Sequence, residues 1–487
     1  MQLTAKKWLL TMAAASLLFT AGAVPAQAAS KAPYESYNYG YYNESLPAPA
    51  AYLPSFSLSG DDLGIGSFVE PNDLYTTETG VSYLLDSGNA RVVVIDANWK
   101  LVKEIKGFDN NGTADSFKGA SGIFVDMDGN LYVADTGNQR VVVLDPNGNL
   151  VKIVKEPKSD ILAEGFKFVP LKVTVDKAKR IFVVAQGVYE GIMQFDEKGE
   201  FLGYAGTIKV QRDYSDYIWR LLSTKAQKAQ MTLFIPTEFS NLDIDQKGFV
   251  YATNIDTGSD QPIKRLNPSG ADVLKRYGYY AVAGDVYFRR SVGPSKFVDI
   301  KVLGDGMYSA LDSTQGRVFT YDSEGNLLYV FGGKGNQLGT LKTPVAVEKS
   351  GENIVVLDRG KSNLVVFEPT LFGKHVNEAI QHHYAGDDGE AVESWQEVLK
   401  LNANYDIAYN GIGKAKLLEK DNKAAMKYFK LGMDRKNYSV AFKRHRTEVL
   451  KENFGTYMTV FIVLVAGILI ARPLLKWRRR RVMKRAA

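Results

Sequence analysis

Carboxylates recur at a fixed interval along this chain of 487 residues. One acidic residue is followed by another ten positions later at Asp86/Asp96, Asp135/Asp145, Asp312/Asp322 and Asp358/Glu368. Such pairs are the obvious first place to look for acid–base or metal chemistry. Their local sequence assigns them another job. Asp145, Asp196, Asn267 and Asp322 open the tetrapeptides DPNG, DEKG, NPSG and DSEG. There the leading Asp or Asn bonds the turn backbone and the Gly takes positive φ without steric cost. A turn role accounts for carboxylates in equivalent places, so none of them is a catalytic candidate. All four histidines, His375, His382, His383 and His445, lie late in the chain. His382 and His383 are adjacent, so on a helix they point about 100° apart and form no chelating pair. With no cysteine, disulfides and thiolate metal sites are excluded.

The elements that carry the carboxylates are repeats. The phrase LYVADTGNQRVVVLDPNGNLV at 131–151 returns as YLLDSGNARVVVIDANWKLV from Tyr83, as MYSALDSTQGRVFTYDSEGNLLYVFGG from Met307 and as NIVVLDRGKSNLVVFEP from Asn353. Gln186/Asp196 and Asn254/Asn267 mark two weaker copies, which makes six units. Each pairs two apolar strand runs across a polar turn and leads through a second turn to another strand. The sixth unit passes from LVVFEP into helical sequence and so lacks a fourth strand. Residues 52–59 are expected to supply it, closing a ring and removing an exposed sheet edge.

The D-(S/T)-G-N-x-R phrases at 86–91 and 135–140 resemble the NHL repeat family over about 52–370. That resemblance implies a mainly β fold, a six-bladed NHL-type β-propeller, but no single function, because function resides in sites grafted on a fold. A zinc lyase on such a propeller needs imidazoles at its centre, and this propeller segment has no histidine. The enzymatic alternative is a gluconolactonase-like hydrolase with calcium in the central channel. Oxygen ligands for it would come from Glu70, Asn72, Glu238, Asn241 and Asp299, with Asp73 nearby. No cofactor is expected in the favoured, non-catalytic reading.

Two interruptions of the repeat offer different chemistry. The insertion at 205–236 carries Tyr214, Tyr217, Trp219 and Arg220; that at 277–295 carries Tyr279, Tyr280, Tyr287, Arg289 and Arg290. Aromatic faces with guanidinium donors suit a sugar ring or a protein hot spot. Both insertions are connections between blades that flank the fourth blade. They are expected on one face, pointing away from the helices and the membrane.

The remaining segments set the compartment. Residues 1–28 read as a secretory signal, with two lysines, an apolar stretch and Ala26-Gln27-Ala28. Residues 29–51, rich in tyrosine and proline, read as an extended linker. The propeller is assigned to 52–372 and a helical domain to 373–452. In the helical domain Gly413, Ala425, Phe429 and Gly432, with Ala391 and Trp395 34 residues before Ala425 and Phe429, resemble tetratricopeptide repeats. A transmembrane helix is placed at 454–475 and a basic cytoplasmic tail at 476–487, since Phe454–Ala471 is uncharged and arginines follow. Without the signal and tail, 50 basic residues face 54 acidic ones, about −4, so the exported part lacks the footprint of a nucleic-acid binder. The sequence thus describes a single-pass cell-membrane protein whose propeller binds a cell-envelope protein or carbohydrate, as a scaffold or accessory of an envelope or transport complex.

Overall fold

The computed structural model describes residues 32–159, 161–162, 165–206, 238–255 and 261–485. Among them six antiparallel sheets stand around one axis, and the first strand of each packs on the first strand of the next. Blade one comprises Pro71–Thr76, Ser82–Asp86, Arg91–Ile95 and Leu101–Ile105. Blade two comprises Gly122–Val125, Leu131–Asp135, Arg140–Leu144 and Leu150–Val154. Blade three follows with Pro170–Val175, Ile181–Ala185, Ile192–Phe195 and Phe201–Ala205. Blade four has three strands among the described residues, Phe239–Ile244, Val250–Asn254 and Ile263–Leu266. Blade five is complete, with Phe297–Gly304, Met307–Asp312, Arg317–Tyr321 and Leu327–Gly332. Blade six takes Pro344–Ser350, Asn353–Asp358 and Asn363–Pro369 from one end of the propeller and Tyr52–Ser59 from the other. The closing pair runs antiparallel from Asn363 opposite Ser59 to Pro369 opposite Tyr52. Because every blade is packed between two others, its middle strands are buried on both faces; all of Arg91–Ile95 and Arg140–Leu144 is buried.

In blades one and two the repeated motif works as a clasp. Asp86 accepts from the Val69 amide at 2.8 Å, from Asn89 Nδ2 at 2.8 Å and from Arg91 Nε at 2.7 Å. Asp135 does the same with Lys118, Asn138 and Arg140. One carboxylate therefore ties the start of the inner strand to the far side of the hairpin, which is more than a turn role. Gly88 and Gly137 must lack a side chain, since a Cβ would lie 2.6 and 2.5 Å from the carbonyl oxygens of Val69 and Lys118. The hydroxyls of Ser87 and Thr136 reach the next blade, at Ala120 O and Pro170 O. The second carboxylate of each pair does hold its turn, as Asp145 does by accepting from the amides of Asn147 and Asn149. Glu368 is the exception: it accepts from Ser55 on the closing strand.

Five helices follow: α1 Leu371–Ala385, α2 Asp388–Leu401, α3 Asp406–Leu418, α4 Asn422–Leu431 and α5 Arg435–Arg485. Thr370 caps α1 by accepting from the Gly373 amide, and Gly373 lies against the Ala51 carbonyl with no room for a Cβ. Gly411 sits on the Trp395 ring and Gly413 on the Phe429 ring, so these small residues let α3 approach α2 and α4. One core joins the helices to blades five and six, with Leu303, Met307, Phe331 and Phe367 packed beside Phe372, Trp395 and Tyr405. Helix α5 contains an apolar stretch long enough to cross a membrane, by length and composition, and Pro473 lies inside it. The 1–28 signal lies outside the described residues.

Residues 32–51 depart from the extended linker expected of them. Tyr37–Tyr39 and Ser45–Pro47 pair as a small hairpin against the outer strand of blade five. Its tyrosines supply the packing that aliphatic residues would otherwise provide. Tyr37 is buried, bonded to Asp285, with the Arg317 guanidinium over its ring.

Candidate functional site

Strand register stacks the inward positions of the six inner strands in two tiers around the axis. The first tier contains Asp73, Gly122, Lys172, Asn241, Asp299 and Ala346; the second contains Tyr75, Phe124, Thr174, Asp243, Lys301 and Glu348. Gly122 lets Lys172 of blade three pass over blade two, and the lysine meets Asp73 of blade one at 2.6 Å. Asn241 donates to Asp299 at 2.5 Å, and Asp299 accepts from the Val347 amide at 2.6 Å, linking blades four, five and six. In the second tier Lys301 stands 2.9 Å from Glu348 and 3.7 Å from Asp243, over the Tyr75 ring. Thr174 is fully buried and its hydroxyl has no partner among the described residues.

Four carboxylates share two ammonium groups here, in a site nearly closed to water. Burial pushes Asp299 up to about 7 and Glu348 up to about 8, against the pull of the lysines. Burial also works against the charge on Lys301, but Asp243 and Glu348 outweigh it and hold the lysine protonated. Such a ring of ion pairs and hydrogen bonds ties the blades to one another across the axis.

The five oxygen-bearing residues weighed for calcium do not converge. Asn72 is tied to Ala120 O and Arg359, whose charge also faces Glu70. Glu238 accepts from the Gly187 amide and from Tyr189. Only Asn241 and Asp299 meet, and the Lys172 charge acts on that pair. As one ligand set these residues do not fit a calcium ion.

A second concavity lies between the propeller and the helices. It is a cleft of about 640 Å³ walled by the hairpin, residues 277–281, the 322–327 turn of blade five, and α1, α3 and the start of α5. Tyr279 donates to Gly432 O at 2.8 Å and meets Tyr41 edge-to-face at 5.3 Å. Tyr280 donates to Gly40 O and accepts from the Asn43 amide. Lys414 pairs with Glu324 across the cleft. Burial, aided by the Glu44 charge, raises Asp406 to about 6.

The second insertion is therefore not displayed away from the helices, as topology had suggested. Blade four explains the difference. After its 267–270 turn the chain makes only the single bridge between Leu266 and Asp272 instead of a fourth strand. It stays on the helical side, where the Tyr277 amide bonds Glu324 O, before turning along blade five. Tyr279 and Tyr280 enter the cleft wall, while Tyr287, Arg289 and Arg290 stay exposed beyond it. Tyr214, Tyr217, Trp219 and Arg220 lie outside the described residues. Sequence reasoning missed Tyr41, Asp406 and Asn410; the tyrosine density of 34–42 was the available signal.

Solved structures with similar folds include virginiamycin B lyase from Staphylococcus aureus, 10% identical, covering 63% of this chain and 97% of that one at a TM-score of 0.39. A gluconolactonase-like protein is 13% identical over 66% and 94% of the two chains, at 0.41. A protein of unknown function from Bacteroides thetaiotaomicron is 12% identical over 69% and 75%, also at 0.41. No curated protein sequence matches the chain. Residues 117–144 match the family model described as NHL repeat, and among the described residues the six sheets close in a ring as a six-bladed β-propeller followed by five C-terminal helices.

Proposed function

We propose that this chain is a membrane-anchored, extracytoplasmic binding protein, not an enzyme, and that its ligand enters the cleft between propeller and helices. The observation that carries this reading is the cleft itself: about 640 Å³, with walls from three parts of the chain. That volume is in the range of small-ligand sites, and a few placed polar groups among aromatic rings give such sites their specificity. Helices α1 to α4 form two pairs whose α1 and α3 faces line the cleft together with the start of α5. This is how tetratricopeptide-like grooves present themselves to a ligand. Helix α5 then serves as the single membrane span, with Arg478, Arg479 and Arg481 on the cytoplasmic side. A carbohydrate or an envelope-protein segment held in the cleft would make the chain an accessory of an envelope or transport complex.

The test is a screen of soluble glycans and peptides against the full chain in detergent, repeated on two variants. Tyr41→Ala is expected to abolish binding and Tyr287→Ala to leave it intact. The reverse pattern would move the site to the exposed insertion, and an empty screen would remove the binding reading.

A further inference from the structure

We infer that the ligand of the cleft carries a positively charged amine, which seats against the Asp406 carboxylate and the neighbouring tyrosine rings. The inference rests on the cleft being the ligand site, as proposed above. Asp406 opens α3 at the cleft wall, and among the described residues its carboxylate accepts no hydrogen bond and joins no ion pair. A half-buried carboxylate without a partner is costly, and a cation from outside would remove that cost. The other acidic groups add to the same field: Glu44 acts on Asp406, and Asp434 acts on Tyr279. The two lysines on α3 are already committed, Lys414 to Glu324 and Lys416 to Glu419.

The rings around Asp406 are placed to receive a cation. At the cleft edge Arg435 lies over Tyr41 and Lys436 over Tyr277, each 5.4 Å from the ring centroid. The chain's own cations thus use these rings as cation–π acceptors at the rim. Deeper in, Tyr279 and Tyr280 keep their hydroxyls engaged with backbone, which fixes the rings and leaves their faces as contact surface. Asn410 also lines the cleft, and its carbonyl oxygen is buried without a partner. A carboxylate and an amide oxygen, both acceptors, ask for a ligand rich in N–H donors. A protonated amine supplies them together with the charge.

The amine could belong to an amino sugar or to a lysine side chain, and calorimetry on the full chain in detergent at pH 7 separates the two. The probes are a β-1,4-linked glucosamine disaccharide, its N-acetylated counterpart and the dipeptide Gly-Lys. The expected result is at least tenfold tighter binding of one amine probe than of the neutral disaccharide. Asp406→Asn should erase most of that preference, and Glu44→Gln should reduce it less. Whichever amine probe binds identifies the source. Equal binding of amine and acetylated disaccharides, or equal weakening of both by Asp406→Asn, would overturn the amine while leaving the cleft as the site. Failure of all amine probes beside a neutral ligand from the wider screen would overturn it too, and loss of every ligand would take the cleft reading with it.

Discussion

Replacing Lys301 by methionine tests the electrostatic logic of the channel directly. The ammonium lies 2.9 Å from Glu348 and 3.7 Å from Asp243, and all three side chains are largely buried. Methionine fills similar volume but leaves two carboxylates facing each other without a counter-ion. Removing one partner of a buried ion pair costs about 3–5 kcal/mol, because the remaining charge is uncompensated. The sign with pH follows from protonation. Burial already raises Glu348 to about 8 with the lysine present, and losing the lysine removes the charge that opposes this rise. A carboxyl whose folded-state pKa is raised binds more protons when folded. Its favourable contribution is complete below the unfolded value of roughly 4 and is lost as pH climbs through the folded value. The variant should therefore lose about 3–5 kcal/mol at pH 9, and at pH 5 only the roughly 1 kcal/mol expected of altered packing. Urea unfolding followed by circular dichroism at the two pH values reads this difference. Equal losses at pH 5 and pH 9, or none at either, would refute the account of Lys301 as the shared counter-ion.

Other substitutions reach the remaining parts of the argument. Gly122→Ala places a Cβ 2.6 Å from Leu171 O and 2.8 Å from Lys172 Cα, so strands of neighbouring blades must separate. A loss of about 1–3 kcal/mol is expected from overpacking, seen as a lower thermal midpoint; an unchanged midpoint would mean that Lys172 does not need that passage. Deleting residues 32–59 removes the fourth strand of blade six and should give a chain cut rapidly by trypsin within blade six, whereas protection equal to the parent would show that the ring closes without it. Gluconolactone should not be hydrolysed by the full chain with added calcium; a calcium-dependent rate abolished by Asp299→Asn would replace the binding reading with a hydrolase. Arg140→Met removes the partner of both Asp135 and Asp115 and should cost about 3–5 kcal/mol in the same unfolding assay, a value near zero marking the clasp as decorative.

The blades were legible because their information is local. DSGNAR and DTGNQR specify a hairpin, its clasp and its glycine within six residues, and counting strands led to 52–59 as the missing member of blade six. Blade three shows the limit of such counting. Gln186 keeps the ten-residue interval to Asp196, yet Ala185 is the residue that pairs with Pro170, where blade one pairs Asp86 with Pro71. One extra residue in a hairpin shifts which side chain faces the clasp.

The candidate sites were legible only in part. Asn241, Asp299 and Asp73 could be named as inner-strand residues. That Lys172 answers Asp73 across 99 positions, over a glycine, could not. Tyr279 and Tyr280 could be singled out as aromatic residues in an insertion. Their partners, Tyr41 in the hairpin and Gly432 beside α5, lie far away in the chain, and blade four's lack of a fourth strand directs the insertion toward them.

Sequence alone therefore determined the frame: six repeats, the turns that end their strands, and an apolar stretch long enough to span a membrane. Those rest on backbone preference and on hydrophobic period, which act over a few neighbouring residues. The tertiary structure decided which polar groups share the channel and which elements wall the cleft. Those depend on ring closure and on one unformed strand, which bring together side chains that no local pattern connects.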